Sequence, residues 1–234
     1  MLWGLRRVEA QATYGIAVDR LKRQIHSGLL LPAEKLPAER QLSDDFGISR
    51  VTLREALRVL ETDRYIVVKR GAYGGAFVTD ADRLAEMSKR RITGEPANAM
   101  RVLEFLCTNE RAAAGYAAER RALPELKRMR RAMDLMASAA TLPLLKQSET
   151  FFHLALGDAS HNTLIARAIE DALAELFLPF IEPSFGTLQA CMINQHDALF
   201  TGIDRGDPAI AQAAVCVLHD GYWNKLRALT RSAA

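Results

Sequence analysis

Apolar residues recur at helical spacing along most of the chain, and the clearest departure is a short stretch near residue 70. Across residues 14–27, Ile16, Leu21, Ile25 and the following Leu29 approximate one stripe, with Arg20, Lys22, Arg23 and Gln24 largely outside it. That pattern predicts an amphipathic helix, closed by Gly28. Leu30-Leu31-Pro32 breaks to a loop, and Pro37 biases Leu36 to an extended conformation. Pro37 can also open the next helix, 38–46, which turns Leu42 and Phe46 inward. Gly47 supplies a tight turn, Ile48 plugs the space between two helices, and Ser49 suits an N-cap. The helix that follows runs over 49–62. It buries Leu53, Leu57 and Leu60 and stacks Arg50, Arg54 and Arg58 along one exposed side. The period then shortens. Ile66-Val67-Val68-Lys69 and Ala76-Phe77-Val78 read as strands, joined by the glycine-rich tip Arg70-Gly71-Ala72-Tyr73-Gly74-Gly75. Three helices and a hairpin make a winged helix-turn-helix, expected over residues 8–80.

Residues 81–97 are polar and charged and end in Gly94-Glu95-Pro96. They read as a linker with one helical piece around 82–90. Beyond them helical patterns run over 99–120, 124–138, 143–158, 163–177, 186–201 and 207–229. Leu178-Pro179-Phe180-Ile181-Glu182-Pro183 interrupts the series, and Asp207-Pro208 starts the last helix as cap and first residue. The expected fold is mainly α: a winged helix-turn-helix followed by an all-α six-helix bundle over residues 98–230.

Composition adds three constraints. No run of about 18 apolar residues is present, so no transmembrane helix is expected, and residues 1–7 lack the apolar segment of a signal peptide. Cys107, Cys191 and Cys216 have no CxxC spacing, which points to a reducing compartment and a cytoplasmic protein. Residues 1–80 hold 13 Lys+Arg against 10 Asp+Glu, whereas the rest holds 18 of each. The positive excess therefore sits in the winged segment, where a nucleic-acid contact needs it.

Side chains of the right kind occupy that segment. Arginine grips guanine through two parallel donors, and serine and threonine hold phosphates or base edges. Ser49, Arg50, Thr52 and Arg54 are those types at the start of the second helix of the motif, with Arg40 on the helix before and Arg70-Gly71 on the wing. A solvated charged face is the alternative, but the glycine turn, the serine cap and the basic wing favour double-stranded DNA.

Gly28-x3-Pro32-x3-Leu36-Pro37-Ala38-Glu39-Arg40-x-Leu42, followed by Gly47-Ile48-Ser49-Arg50-x-Thr52-Leu53-Arg54-Glu55-Ala56-Leu57, resembles the GntR family of bacterial transcription regulators over about residues 10–80. In its FadR-like branch, the resemblance implies, DNA is held by positions matching Arg40, Ser49, Arg50, Thr52, Arg54, Arg70 and Gly71. Two positions depart from the family pattern. Ala33 stands where a glycine is usual, and Asp63-Arg64-Tyr65 lacks the usual glycine before the wing.

Four histidines fall in the bundle: His153, His161, His196 and His219. Glu149 and His153 are i, i+4 and share one helix face, while His196 and His219 come from the last two helices. If Glu149, His153, His196 and His219 all face inward, one carboxylate and three imidazoles converge, a set that suits zinc, nickel or a similar divalent ion. Hydrogen-bonded core histidines are the alternative.

The helical region is similar to the FCD domain of the same branch. The similarity rests on Arg101-x2-Glu104 with its alanine-rich sequel, Glu149-x2-Phe152-His153, Ser160-His161-Asn162, Asn194-Gln195-His196, Gly206-Asp207-x-Ala209 and Leu218-His219. Six helices suggest the shorter, VanR-like form. The resemblance implies a metal on Glu149, His153, His196 and His219, with Glu149 replacing the usual aspartate. It also implies a small carboxylate effector beside the metal, with Arg101 and Asn162 as its expected contacts. The expected protein is a ligand-responsive repressor, a homodimer on a palindromic operator. A metal-dependent enzyme with a three-histidine, one-carboxylate site and a DNA-binding protein with an inert helical domain remain the alternatives.

Overall fold

The computed structural model describes residues 13–71, 73–177 and 185–231. They divide into two compact units, Met1–Lys22 with Glu34–Thr79, and Arg23–Ala33 with Asp80–Ala234. The domain start expected at residue 8, the break at 178–183 and Ala72 of the hairpin tip lie outside the described residues.

The first unit holds most of α1 (Thr13–His26), α2 (Glu39–Phe46), α3 (Arg50–Thr62), β1 (Ile66–Lys69) and β2 (Gly75–Val78). α2 stops at Gly47, which takes a left-handed φ of 64°. Its missing Cβ makes that conformation cheap. α3 starts at once: the Ser49 hydroxyl accepts the Thr52 N–H at 3.1 Å. Leu53, Ala56, Leu57 and Leu60 form its buried face, as their spacing requires. β1 and β2 pair antiparallel with Ile66 opposite Val78 and Lys69 opposite Gly75. The loop before α2 adds a partial third strand, since the Leu36 N–H donates to Ala76 O at 2.9 Å and the Val78 N–H to Glu34 O at 2.8 Å.

The second unit contains α4 (Ala81–Gly94), α5 (Pro96–Arg120), α6 (Leu123–Ser138), α7 (Leu142–Ala159), α8 (Thr163–Leu176), α9 (Phe185–Arg205) and α10 (Pro208–Arg231). All six expected helices form, but the segment expected as a linker is itself a helix, so the count of six behind the short-form expectation becomes seven among the described residues. α4 is capped by Asp80, whose side chain accepts the Arg83 N–H at 2.8 Å, and it buries Leu84, Ala85, Ser88 and Ile92. The helical piece expected around 82–90 thus extends over the whole of Ala81–Gly94; Ser88 interrupts the apolar character of its stripe. The Ser88 hydroxyl is satisfied by Phe177 O.

Leu103, Leu106, Met129, Met136, Leu145, Phe152, Ile169, Leu199 and Val215 build the core of this unit. α9 and α10 approach closely at Gly202, where an added Cβ would lie 2.7 Å from the Ala211 backbone nitrogen. The segment after α1 is tied to α7: Thr150 Oγ1 donates to Ser27 O at 2.6 Å and Gln147 Nε2 to Leu29 O at 3.0 Å.

Candidate DNA-reading face and metal centre

In the winged unit Arg40, Ser49, Arg50, Arg54, Arg70 and Gly71 are exposed and Thr52 is half-buried. Three of them already have partners. Ser49 caps α3 and also meets the Thr52 hydroxyl at 2.9 Å. Arg54 Nε donates to Glu39 Oε2 at 2.8 Å, which holds the guanidinium on the α2 side of α3. Arg58, third in the arginine stripe, is occupied by Glu55 at 2.7 Å. Arg40, Arg50 and Arg70 form no ion pair among the described residues, so their donors stay available to a phosphate or a base edge. Two exposed side chains that sequence reasoning passed over stand among them. Val51, 72% exposed, lies between Arg50 and Thr52, and Tyr73, 94% exposed, marks the hairpin tip.

In the helical unit Glu149 and His153 on α7 and His196 on α9 come together. One ligand atom from each lies within 4.8 Å of the others, and all three residues are buried. His196 Nδ1 lies 2.8 Å from Met192 O one turn earlier, so Nδ1 carries the proton and the unpartnered Nε2 has a bare lone pair. Burial pushes the His196 pKa down, and the neighbouring His153 lowers it further, to about 4. His196 is thus neutral near pH 7, the form that binds a metal. His153 Nε2 is likewise buried without a partner.

Glu149 is held from two sides. The Tyr222 hydroxyl donates to Oε1, and Lys146 Nζ lies 3.4 Å from Oε2. Burial alone would raise the Glu149 carboxyl, but Lys146, His153 and His196 bring it below its usual value. Tyr222 moves up, through burial and the charge of Glu149.

His219 differs from expectation. It is buried, but it is not one of the grouped ligands. Its Nε2 lies 2.7 Å from Glu110 Oε2 on α5. The other oxygen of the same carboxylate lies 2.7 Å from His153 Nδ1, an ion-pair contact off the axis of a linear hydrogen bond. Burial by itself would push the Glu110 carboxyl up. The charge and contact of His153 and the contact of His219 outweigh it and bring the pKa to about 2. Sequence reasoning missed Glu110, although a signal was present: Leu103, Leu106, Ala113 and Ala117 form the buried stripe of α5, and Glu110 is the acid set within it.

The two expected effector contacts are not brought to this group. Arg101 is exposed and lies nine residues before Glu110, two and a half turns and so on the opposite face of α5. It borders an open surface hollow with Arg23, Phe105, Asp171 and Glu175. Asn162 is spent as the N-cap of α8, its Oδ1 accepting from Leu164 N at 3.1 Å and Ile165 N at 3.4 Å. His161 is exposed.

The donor set fits a divalent ion. Two imidazoles present unpartnered nitrogens next to a carboxylate held below its usual pKa, and all three residues are buried. Unpaired buried nitrogens cost stability on their own and are otherwise rare.

Comparison with known proteins agrees with both halves. Residues 13–78 match the gntR family of bacterial regulatory proteins, and residues 101–219 match the FCD domain. The galactonate operon transcriptional repressor of Escherichia coli (strain K12) is 28% identical over 225 residues, covering 91% of this chain and 96% of the relative. The HTH-type transcriptional regulator LutR of Bacillus subtilis (strain 168) is 26% identical over 198 residues, covering 82% and 90%. Among solved structures, E. coli McbR/YncC superposes with a TM-score of 0.54 at 18% identity, over 93% of this chain and 98% of that one, a likeness of fold alone. A winged helix with exposed arginines and a helical domain around buried histidines, each matched in its own half, place this chain in the GntR family of bacterial transcriptional regulators, in the FadR-like branch that carries an FCD domain.

Proposed function

We propose that this regulator is a cytoplasmic, homodimeric repressor. Its helical unit senses a small organic acid beside a divalent ion, zinc or nickel. The family is one of regulators, not enzymes, and the hydrolytic reading of the histidines is set aside. The observation that carries the proposal is the buried group of Glu149, His153 and His196 with its unpartnered nitrogens. Those three residues would hold the ion, which would supply a positive centre for an effector carboxylate. Lys146, half-buried one turn before Glu149, adds a second positive charge at the same place. The E. coli relative is named for the galactonate operon, and galactonate is a hydroxylated carboxylate, the ligand class proposed here.

On the DNA side, Arg50 and Arg40 would read base edges, with Ser49, Thr52, Arg54, Arg70 and Gly71 on phosphates and the adjoining groove. Two copies would set two α3 helices in successive major grooves of a near-palindromic operator. An effector acts only through a difference in affinity between the DNA-competent and DNA-incompetent arrangements.

The test is fluorescence anisotropy on a labelled fragment of the DNA upstream of the gene, with zinc-loaded and chelator-stripped protein. Titration with galactonate and smaller hydroxy acids is expected to shift the operator affinity of the zinc-loaded protein at least fivefold and that of stripped protein much less. Equal response with and without zinc would reject the metal as part of the sensor.

A further inference from the structure

We infer that Glu110 is a positioning residue for the helical site: its buried carboxylate touches His153 Nδ1 and His219 Nε2 together, fixing the proton of each ring on that nitrogen and leaving His153 Nε2 and His219 Nδ1 bare. The inference rests on the reading that Glu149, His153 and His196 hold a metal ion.

Glu110 is fully buried and comes from α5, a helix that supplies none of the grouped ligands. Both of its oxygens lie 2.7 Å from an imidazole nitrogen. A carboxylate only accepts, and a bare ring lone pair facing it at 2.7 Å would be repelled, so each facing nitrogen is assigned the proton: on His219 through a hydrogen bond, on His153 through an off-axis ion-pair contact. Whether a ring is neutral or cationic, the nitrogen towards Glu110 keeps its proton. The proton that a metal can displace from His153 is then the one on Nε2. The two rings are locked in opposite senses, His153 as the Nδ1–H form and His219 as the Nε2–H form, because they present different nitrogens to one carboxylate. The same oxygens bring a negative charge to the edge of a site that would hold a dication. Acidic partners of this type fix ring orientation and make the ligand nitrogen more basic. α5 thereby joins α7 and α10 through a single carboxylate, and His219 enters the site as a ring held by Glu110.

Glu110→Gln is the informative change because it keeps size and shape. An amide offers one acceptor and one donor group, so it can accept from only one ring. The other ring would meet an N–H and must accept from it, so the nitrogen facing the amide carries the lone pair and the ring proton moves to the nitrogen that was bare.

The experiment has two readouts. Long-range 1H–15N spectra of the metal-free wild type at pH 8.5 are expected to show His153 as the Nδ1–H tautomer and His219 as the Nε2–H tautomer. Metal-free Glu110→Gln should keep wild-type helicity, invert one of the two tautomers and bind zinc ten- to a hundredfold more weakly. His153 as the Nε2–H tautomer in the wild type overturns the proposal, and so does zinc affinity within twofold of wild type in Glu110→Gln. Failure of the wild type to take up zinc at all would instead reject the metal reading, and the tautomers of the metal-free protein then decide the role of Glu110 by themselves.

Discussion

Ala33 and Arg64 share one backbone conformation, with φ of 61° and 62°, although neither is a glycine. These are the two places where the chain departs from the family's glycine pattern, and the backbone keeps the left-handed turn that glycine would take cheaply. An L side chain in that region costs roughly 1–2 kcal/mol, part of which glycine returns through the greater entropy of its unfolded chain. Ala33→Gly and Arg64→Gly are each expected to stabilise the protein by about 0.5–1 kcal/mol in urea unfolding. A loss of stability in both variants would show that contacts of the side chains outweigh the backbone strain.

Ser49 and Arg50 are neighbours with separable duties. The Ser49 hydroxyl closes the first turn of α3, whereas Arg50 is exposed with no ion pair among the described residues. Ser49→Ala should cost about 1 kcal/mol of stability, the usual loss for such a cap. Arg50→Ala should leave stability within about 0.5 kcal/mol and weaken operator binding by about 1–3 kcal/mol, or roughly 5- to 150-fold. Unchanged gel-shift affinity for Arg50→Ala would remove that residue from the reading face.

His196 gives the chelator-stripped protein a pH dependence of known sign. Its folded pKa of about 4 lies below the ordinary 6.5, so the unfolded chain binds the extra proton. Its contribution to stability is complete above about pH 6.5 and is lost as pH falls towards 4, on the order of 3 kcal/mol over the window. His153 acts in the opposite sense, because its pKa is raised by Glu110 despite burial. Comparison with a variant isolates the first effect: between pH 7 and 4, His196→Asn should lose less stability than the wild type. Parallel curves would show that His196 is already protonated in the folded state.

Much of this architecture was legible because the physics is local. Ser49, Asn162 and Asp207-Pro208 mark helix starts by their own side chains, and each expected start lies within three residues of the observed one. Only the middle of α4, around 82–90, is legible as helix within the expected linker, because Ser88 stands on its buried stripe and charges crowd the rest of it. In the site, Glu149 and His153 were legible as an i, i+4 pair, since one helix fixes their relation. The partner of His219 was not, because that contact spans 109 residues of chain. Arg101 was misplaced for a phase reason: it lies on the right helix but half a turn from the face that carries Glu110.

Zinc calorimetry on chelator-stripped protein tests the metal centre most directly. One ion per chain is expected for the wild type, with the affinity of His196→Ala and Glu149→Ala reduced at least tenfold while their helicity is kept. Zinc at a hundred times its dissociation constant should add about 2.7 kcal/mol to wild-type stability. Wild-type stoichiometry and affinity in His196→Ala would contradict the assignment of Glu149, His153 and His196 as the metal site.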